Sequence, residues 1–116
     1  MIRTLLRIYR KQKRKRLEQR SNNMGENIIY KYQLELVEHQ VIKVPNRRII
    51  LDIRIQDELY YVWSLVDNRL EDKDLSIYLR GTGTSDNMQD KRYITTLQDK
   101  HMMWHFFTDW DERVKN

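Results

Sequence analysis

Cysteine is absent from the 116 residues. That excludes disulfides and thiolate metal sites, and it fits a chain kept in a reducing cytoplasm. Long apolar runs are missing too; none approaches the roughly 20 residues that a membrane-spanning helix needs. The N-terminus has basic residues without the apolar stretch of a secretory signal, and it is not Ser-rich as a transit peptide is. Only three glycines occur, Gly25, Gly81 and Gly83. A dinucleotide fingerprint needs three of them in one βαβ unit. The expectation is a soluble intracellular protein of one domain with an appendage, with no membrane and no cofactor.

Basic charge is abundant but confined. Residues 1–24 hold Arg3, Arg7, Arg10, Lys11, Lys13, Arg14, Lys15, Arg16 and Arg20 against Glu18 alone. The remaining residues hold 13 basic and 16 acidic groups, so the formal +5 is an acidic body wearing a basic arm. A tail of this kind meets polyanions.

The arm, residues 1–24, reads as a helix followed by a hinge. Residues 1–20 contain neither Gly nor Pro, and Arg, Lys, Gln, Leu and Glu are good helix formers. Ile2, Leu5, Leu6 and Tyr9 recur at the spacing of one helical face, a candidate protein-contact stripe. The almost wholly charged stretch 10–16 opposes helix formation in isolation through like charges at i, i+4. The arm is therefore expected to be unfolded alone and helical when its charges are neutralised. Ser21-Asn22-Asn23 with Gly25 breaks the chain between arm and body.

From Glu26 onward the period is two. Ile28, Tyr30, Tyr32, Leu34 and Leu36 alternate with Ile29, Lys31, Gln33 and Glu35. Val41–Val44 reads as a second strand stopped by Pro45, and Ile49, Leu51, Ile53 and Ile55 mark a third. Gln56-Asp57-Glu58 connects to Tyr60–Val66, apolar on both faces as a central strand is. Leu75, Ile77 and Leu79 mark the next strand, and Tyr93–Gln98 and Met102–Phe107 follow, joined at Asp99-Lys100. The fold class expected is mainly β: a compact antiparallel sandwich or small barrel of six or seven strands over residues 25–108. Residues 109–116 read as a polar tail able to form one helical turn. The expected core is Tyr30, Tyr32, Leu34, Ile49, Leu51, Ile53, Tyr61, Trp63, Leu65, Ile77, Leu79, Ile94, Trp104 and Phe106.

The succession Lys31-Tyr32-Gln33-Leu34, Trp63-Ser64-Leu65-Val66-Asp67, Gly81-Thr82-Gly83, Tyr93-Ile94-Thr95-Thr96 and Trp104-His105-Phe106-Phe107 resembles a family of small phage and actinobacterial proteins. They are known only as a domain of unknown function, and the resemblance covers about residues 28–107. It implies a phage or prophage setting and a compact, mainly-β module. Most members lack the arm, and Met24 falls near their usual start.

Each chemistry-bearing group in the body has a plainer reading. Arg80-Gly81-Thr82-Gly83-Thr84 lacks the Lys-Ser/Thr pair and following helix of a phosphate loop, so it reads as a strand-ending turn. His101 and His105 stand at a metal-compatible helical spacing, but on a strand and without a companion carboxylate, so no metal is expected. Ser64, His105 and Asp67 supply triad residue types with no nucleophile elbow. Trp63, Trp104, Tyr61 and Phe106 read as core before nucleobase platform, while Tyr60, Tyr78 and Trp110 are the aromatics expected at the surface.

The basic arm is thus the main functional signal. Its nine cations are candidates for contacting phosphates on DNA or RNA. The reading is a non-enzymatic binding module that docks through the arm on nucleic acid or a ribonucleoprotein machine. Its acidic β-body would meet a protein partner, and the whole would modulate a host process. The alternative is a structural virion component whose arm inserts into neighbouring subunits or packaged DNA.

Overall fold

Seven strands carry almost all of the regular structure among the described residues. A computed structural model describes residues 27–115. The strands are β1 Asn27–Leu34, β2 His39–Pro45, β3 Arg48–Gln56, β4 Leu59–Asp67, β5 Asp72–Gly81, β6 Lys91–Asp99 and β7 Met102–Asp109. They form two antiparallel sheets, β1-β4-β3 and β2-β5-β7-β6, which is a sandwich and not a closed barrel. The arm expected at residues 1–24 lies outside the described residues.

Period-two patterning buries one face of each strand between the sheets. Tyr30, Tyr32, Leu34, Ile50, Ile53, Tyr60, Val62 and Val66 of the first sheet meet Ile42, Val44, Leu75, Ile77, Leu79, Ile94 and Phe106 of the second. Burying each of the larger of these stabilises the fold by about 1.5–3 kcal/mol. β4 is central in its sheet, as its doubly apolar sequence requires.

Four expected core residues, Ile49, Leu51, Trp63 and Leu65, are only half-buried and do not belong to the core cluster. In β3 the cause is a bulge between Ile50 and Asp52. The extra residue flips side-chain parity, so Ile50 and Ile53 both face inward at 0 % exposure. On β4 the inward set is Tyr60, Val62, Ser64 and Val66, which pair across to the inward residues of β1. Trp63 and Leu65 therefore turn away from the second sheet. Trp104, also expected in the core, packs against its margin. Tyr60, expected at the surface, is buried and donates its hydroxyl proton to Asp99 Oδ2 at 2.5 Å.

The chain end is tied in. Instead of a helical turn, Glu112 N bonds Asp109 O at 3.1 Å. Residues 113–115 then run along β3, with Ile50 N to Arg113 O and Lys115 N to Ile50 O each at 2.8 Å. Buried Arg48 anchors this return. Its Nε and one terminal nitrogen clamp Glu112 at 3.0 and 2.5 Å. Its other N–H groups reach the carbonyls of Val44, Lys73 and Asp74 at 3.0, 3.0 and 2.6 Å. One guanidinium thus satisfies all five donors while joining β2, β3, β5 and the tail.

Candidate functional site

The pairing of the second sheet aligns side chains that are far apart in sequence. His39 lies opposite Tyr78, Tyr78 opposite Phe107, and Phe107 opposite Tyr93. These positions have the outward parity of their strands. The result is one row of four rings crossing β2, β5, β7 and β6 on the face turned away from the core. His39 and Tyr78 are stacked, with centroids 4.5 Å apart and planes 8° from parallel. Phe107 and Tyr93 meet edge-on at 5.7 Å. Tyr93 remains 46 % exposed.

Charges border the row in neutralised pairs. Lys91 Nζ lies 4.8 Å from the centre of the Tyr78 ring and 3.6 Å from Asp109, whose carboxylate also accepts the Tyr78 hydroxyl at 2.8 Å. Desolvation lowers the Lys91 ammonium, but Tyr78, Asp90 and Asp109 together outweigh it and hold the group above its ordinary value. Arg80 pairs with Asp86 at 2.8 Å, and Lys43 pairs with Asp74. Beyond β7, Trp110 is 67 % exposed with Arg92 5.6 Å from its ring centre. Aromatic side chains are among the residues enriched at the centres of protein–protein interfaces.

Beside the row, His105 is held from both sides. Its Nε2 lies 2.8 Å from Thr82 Oγ1 and its Nδ1 2.9 Å from Thr96 Oγ1, and the Tyr93 hydroxyl lies 2.6 Å from that same threonine oxygen. The ring is a strut between the Gly81–Gly83 turn and β6, with both nitrogens engaged. His101 sits exposed in the β6–β7 turn. Among the described residues, no group of three or more His, Asp or Glu is placed to hold a metal. Ser64 faces inward in the first sheet and donates to Ile49 O at 3.0 Å, so it does not meet His105 on the outer face of the second.

The glycine turn has a backbone explanation. Gly83 adopts φ +92°, which favours glycine, and Thr84 closes the turn onto Gly81 O through its N–H at 3.3 Å and its hydroxyl at 2.8 Å. A Cβ on Gly81 would stand 3.4 Å from the Trp104 ring, a close but ordinary contact, so it is Gly83 whose backbone calls for glycine. Elsewhere, a cleft of about 270 Å³ opens beside Arg48, lined by Asn46, Arg47, Leu70, Asp111, Glu112 and Arg113.

The nucleic-acid candidates Arg3, Arg7, Arg10, Lys11, Lys13, Arg14, Lys15, Arg16 and Arg20 lie outside the described residues, as do Ile2, Leu5, Leu6 and Tyr9. Of the four-ring row, sequence reasoning picked out only Tyr78. Each ring sits at an outward position in a period-two pattern, but which strands pair, and in what register, cannot be read along the chain.

The described residues form a small β-sandwich of seven antiparallel strands in two sheets. The chain belongs to the family described as Domain of unknown function (DUF7352), whose model matches residues 26–116. That match begins where the sandwich begins and leaves the basic arm outside it. Comparison with curated proteins and with solved structures gives no match.

Proposed function

We propose that this protein is a non-enzymatic binding module joining a polyanion to a protein. The arm neutralises phosphates of nucleic acid or of a ribonucleoprotein, and the ring row of the second sheet meets a protein partner. One observation carries this reading: nine basic residues against one acidic group in residues 1–24, attached to a body with an acidic excess. A surplus so confined supports sequence-independent phosphate binding through counterion release. The ring row supports the second half, since exposed aromatics with compensated charges suit protein contact better than phosphate contact. In the phage setting that the five sequence motifs imply, such an adaptor acts on host transcription, translation or defence.

Two full-length variants test the division of labour. Changing Arg10, Lys11, Lys13, Arg14, Lys15 and Arg16 to Gln should weaken binding to mixed RNA and DNA at low salt by at least about tenfold. Tyr93→Ala should leave that binding within about twofold while reducing capture of the protein partner from infected cells. Equal loss of nucleic-acid binding in the two variants would contradict the proposal.

A further inference from the structure

The outer face of the β1-β4-β3 sheet has no described element packed on it, and its central strand is apolar between partly charged flanks. Ile29, Leu65 and Ile49 stand side by side across the three strands. Trp63 occupies the middle of the next row between Lys31 and Asp52, with Leu51 in the adjoining bulge, and Tyr61 follows between Gln33 and Arg54. A two-sided sheet leaves its outer positions polar when that side faces water. Here the central strand presents Tyr61, Trp63 and Leu65. Ile29 is 55 % exposed, whereas Tyr61 is 1 % exposed even though it lies outside the core cluster. The Lys31 ammonium, 4.4 Å from the ring centre, and the edge-on Trp63, 5.7 Å away, account for two of its neighbours.

We infer that this face is the seat of the arm's apolar stripe: Ile2, Leu5, Leu6 and Tyr9 pack over Trp63, Tyr61, Leu65 and Ile49 of the same molecule. Chain connectivity favours this occupant. The 26 residues that precede the described region enter the fold at Asn27, the first residue of β1, which is an edge strand of this sheet. Reach is sufficient. Residues 10–20 would span about 17 Å even in a helical conformation at 1.5 Å per residue, and residues 21–26 can add up to about 20 Å. The face is three strands wide, about 10 Å between outer strand axes, and β1 is about 27 Å long. Chemistry agrees as well. The stripe is the one apolar periodic pattern in the arm, and it has four side chains to lay on a face with an apolar centre. With the stripe seated, the cations that follow from Arg10 onward are carried on a fixed base and not on a free tail.

The absence of native cysteine makes a direct test available in the full-length chain without nucleic acid. The pair Leu6→Cys with Ile29→Cys is compared with Leu6→Cys with Tyr93→Cys, because Ile29 and Tyr93 are both exposed but lie on outer faces of different sheets. A short bis-maleimide should link the first pair within one monomer at least tenfold faster than the second. In a separate variant, Leu5→Asp should move the Trp63 indole N–H resonance and leave that of Trp110 in place. Equal rates for the two pairs, linkage only between molecules, or an unmoved Trp63 signal would each overturn the inference. Linkage between molecules would assign the face to a second copy. A chain that cross-links as expected yet binds no nucleic acid would sink the functional proposal alone.

Discussion

Tyr60 carries the clearest titration signature in the body. Burial first, then the hydrogen bond and charge of Asp99, raise its pKa above the ordinary 10.0. Folding therefore favours the neutral phenol, whereas the unfolded chain ionises it at the usual value. The resulting stability is complete below about pH 10 and is lost as pH rises toward the folded-state pKa. Melting temperatures measured between about pH 8 and 11 should fall more steeply for the native chain than for Tyr60→Phe, although Tyr60→Phe starts lower because it lacks the bond to Asp99. Parallel curves would show that Tyr60 does not govern the alkaline limb. Arg48 acts at the same scale and for a similar reason. A buried charge is tolerable there because Glu112 and three carbonyls leave none of its donors unmet.

Between β3 and β4 the chain reverses through Asp57 and Glu58, at φ 52° and 67°. Two consecutive left-handed residues are the requirement of a type I′ hairpin turn, where Asn-Gly is the favoured pair. Glutamate pays about 1 kcal/mol for that conformation and glycine does not. The double change Asp57→Asn with Glu58→Gly should therefore raise stability by about 1 kcal/mol, read as a higher urea midpoint at an unchanged slope. A lower midpoint would contradict the turn geometry. The position of this turn was legible because two polar residues interrupt two alternating runs. Strand number and the central place of β4 were legible for the same reason. Less of the inward set was. The bulge beside Leu51 reverses parity within a sequence whose alternation looks unbroken, and β4 offers apolar residues on both faces, so only its partners decide which face is inner. The ring row stayed hidden because its members, His39, Tyr78, Tyr93 and Phe107, become neighbours only through pairing across four strands.

At the scale of the whole molecule, charge and fold divide the same way along the chain. The family match and the sandwich occupy the acidic part, and the basic residues of 1–24 precede both. Under the proposed function, a strongly cationic segment on a body of opposite sign would tie binding to ionic strength, because each phosphate neutralised releases a condensed counterion. The salt dependence of affinity for double-stranded DNA tests this most directly. If the arm engages about six phosphates, log K should fall against log salt with a slope near −5 for the full-length chain. The six-fold Gln variant should have a slope no steeper than about −3, since three basic arm residues, Arg3, Arg7 and Arg20, remain. A slope flatter than about −1 for the native chain, or the same slope in both proteins, would contradict phosphate binding by the arm.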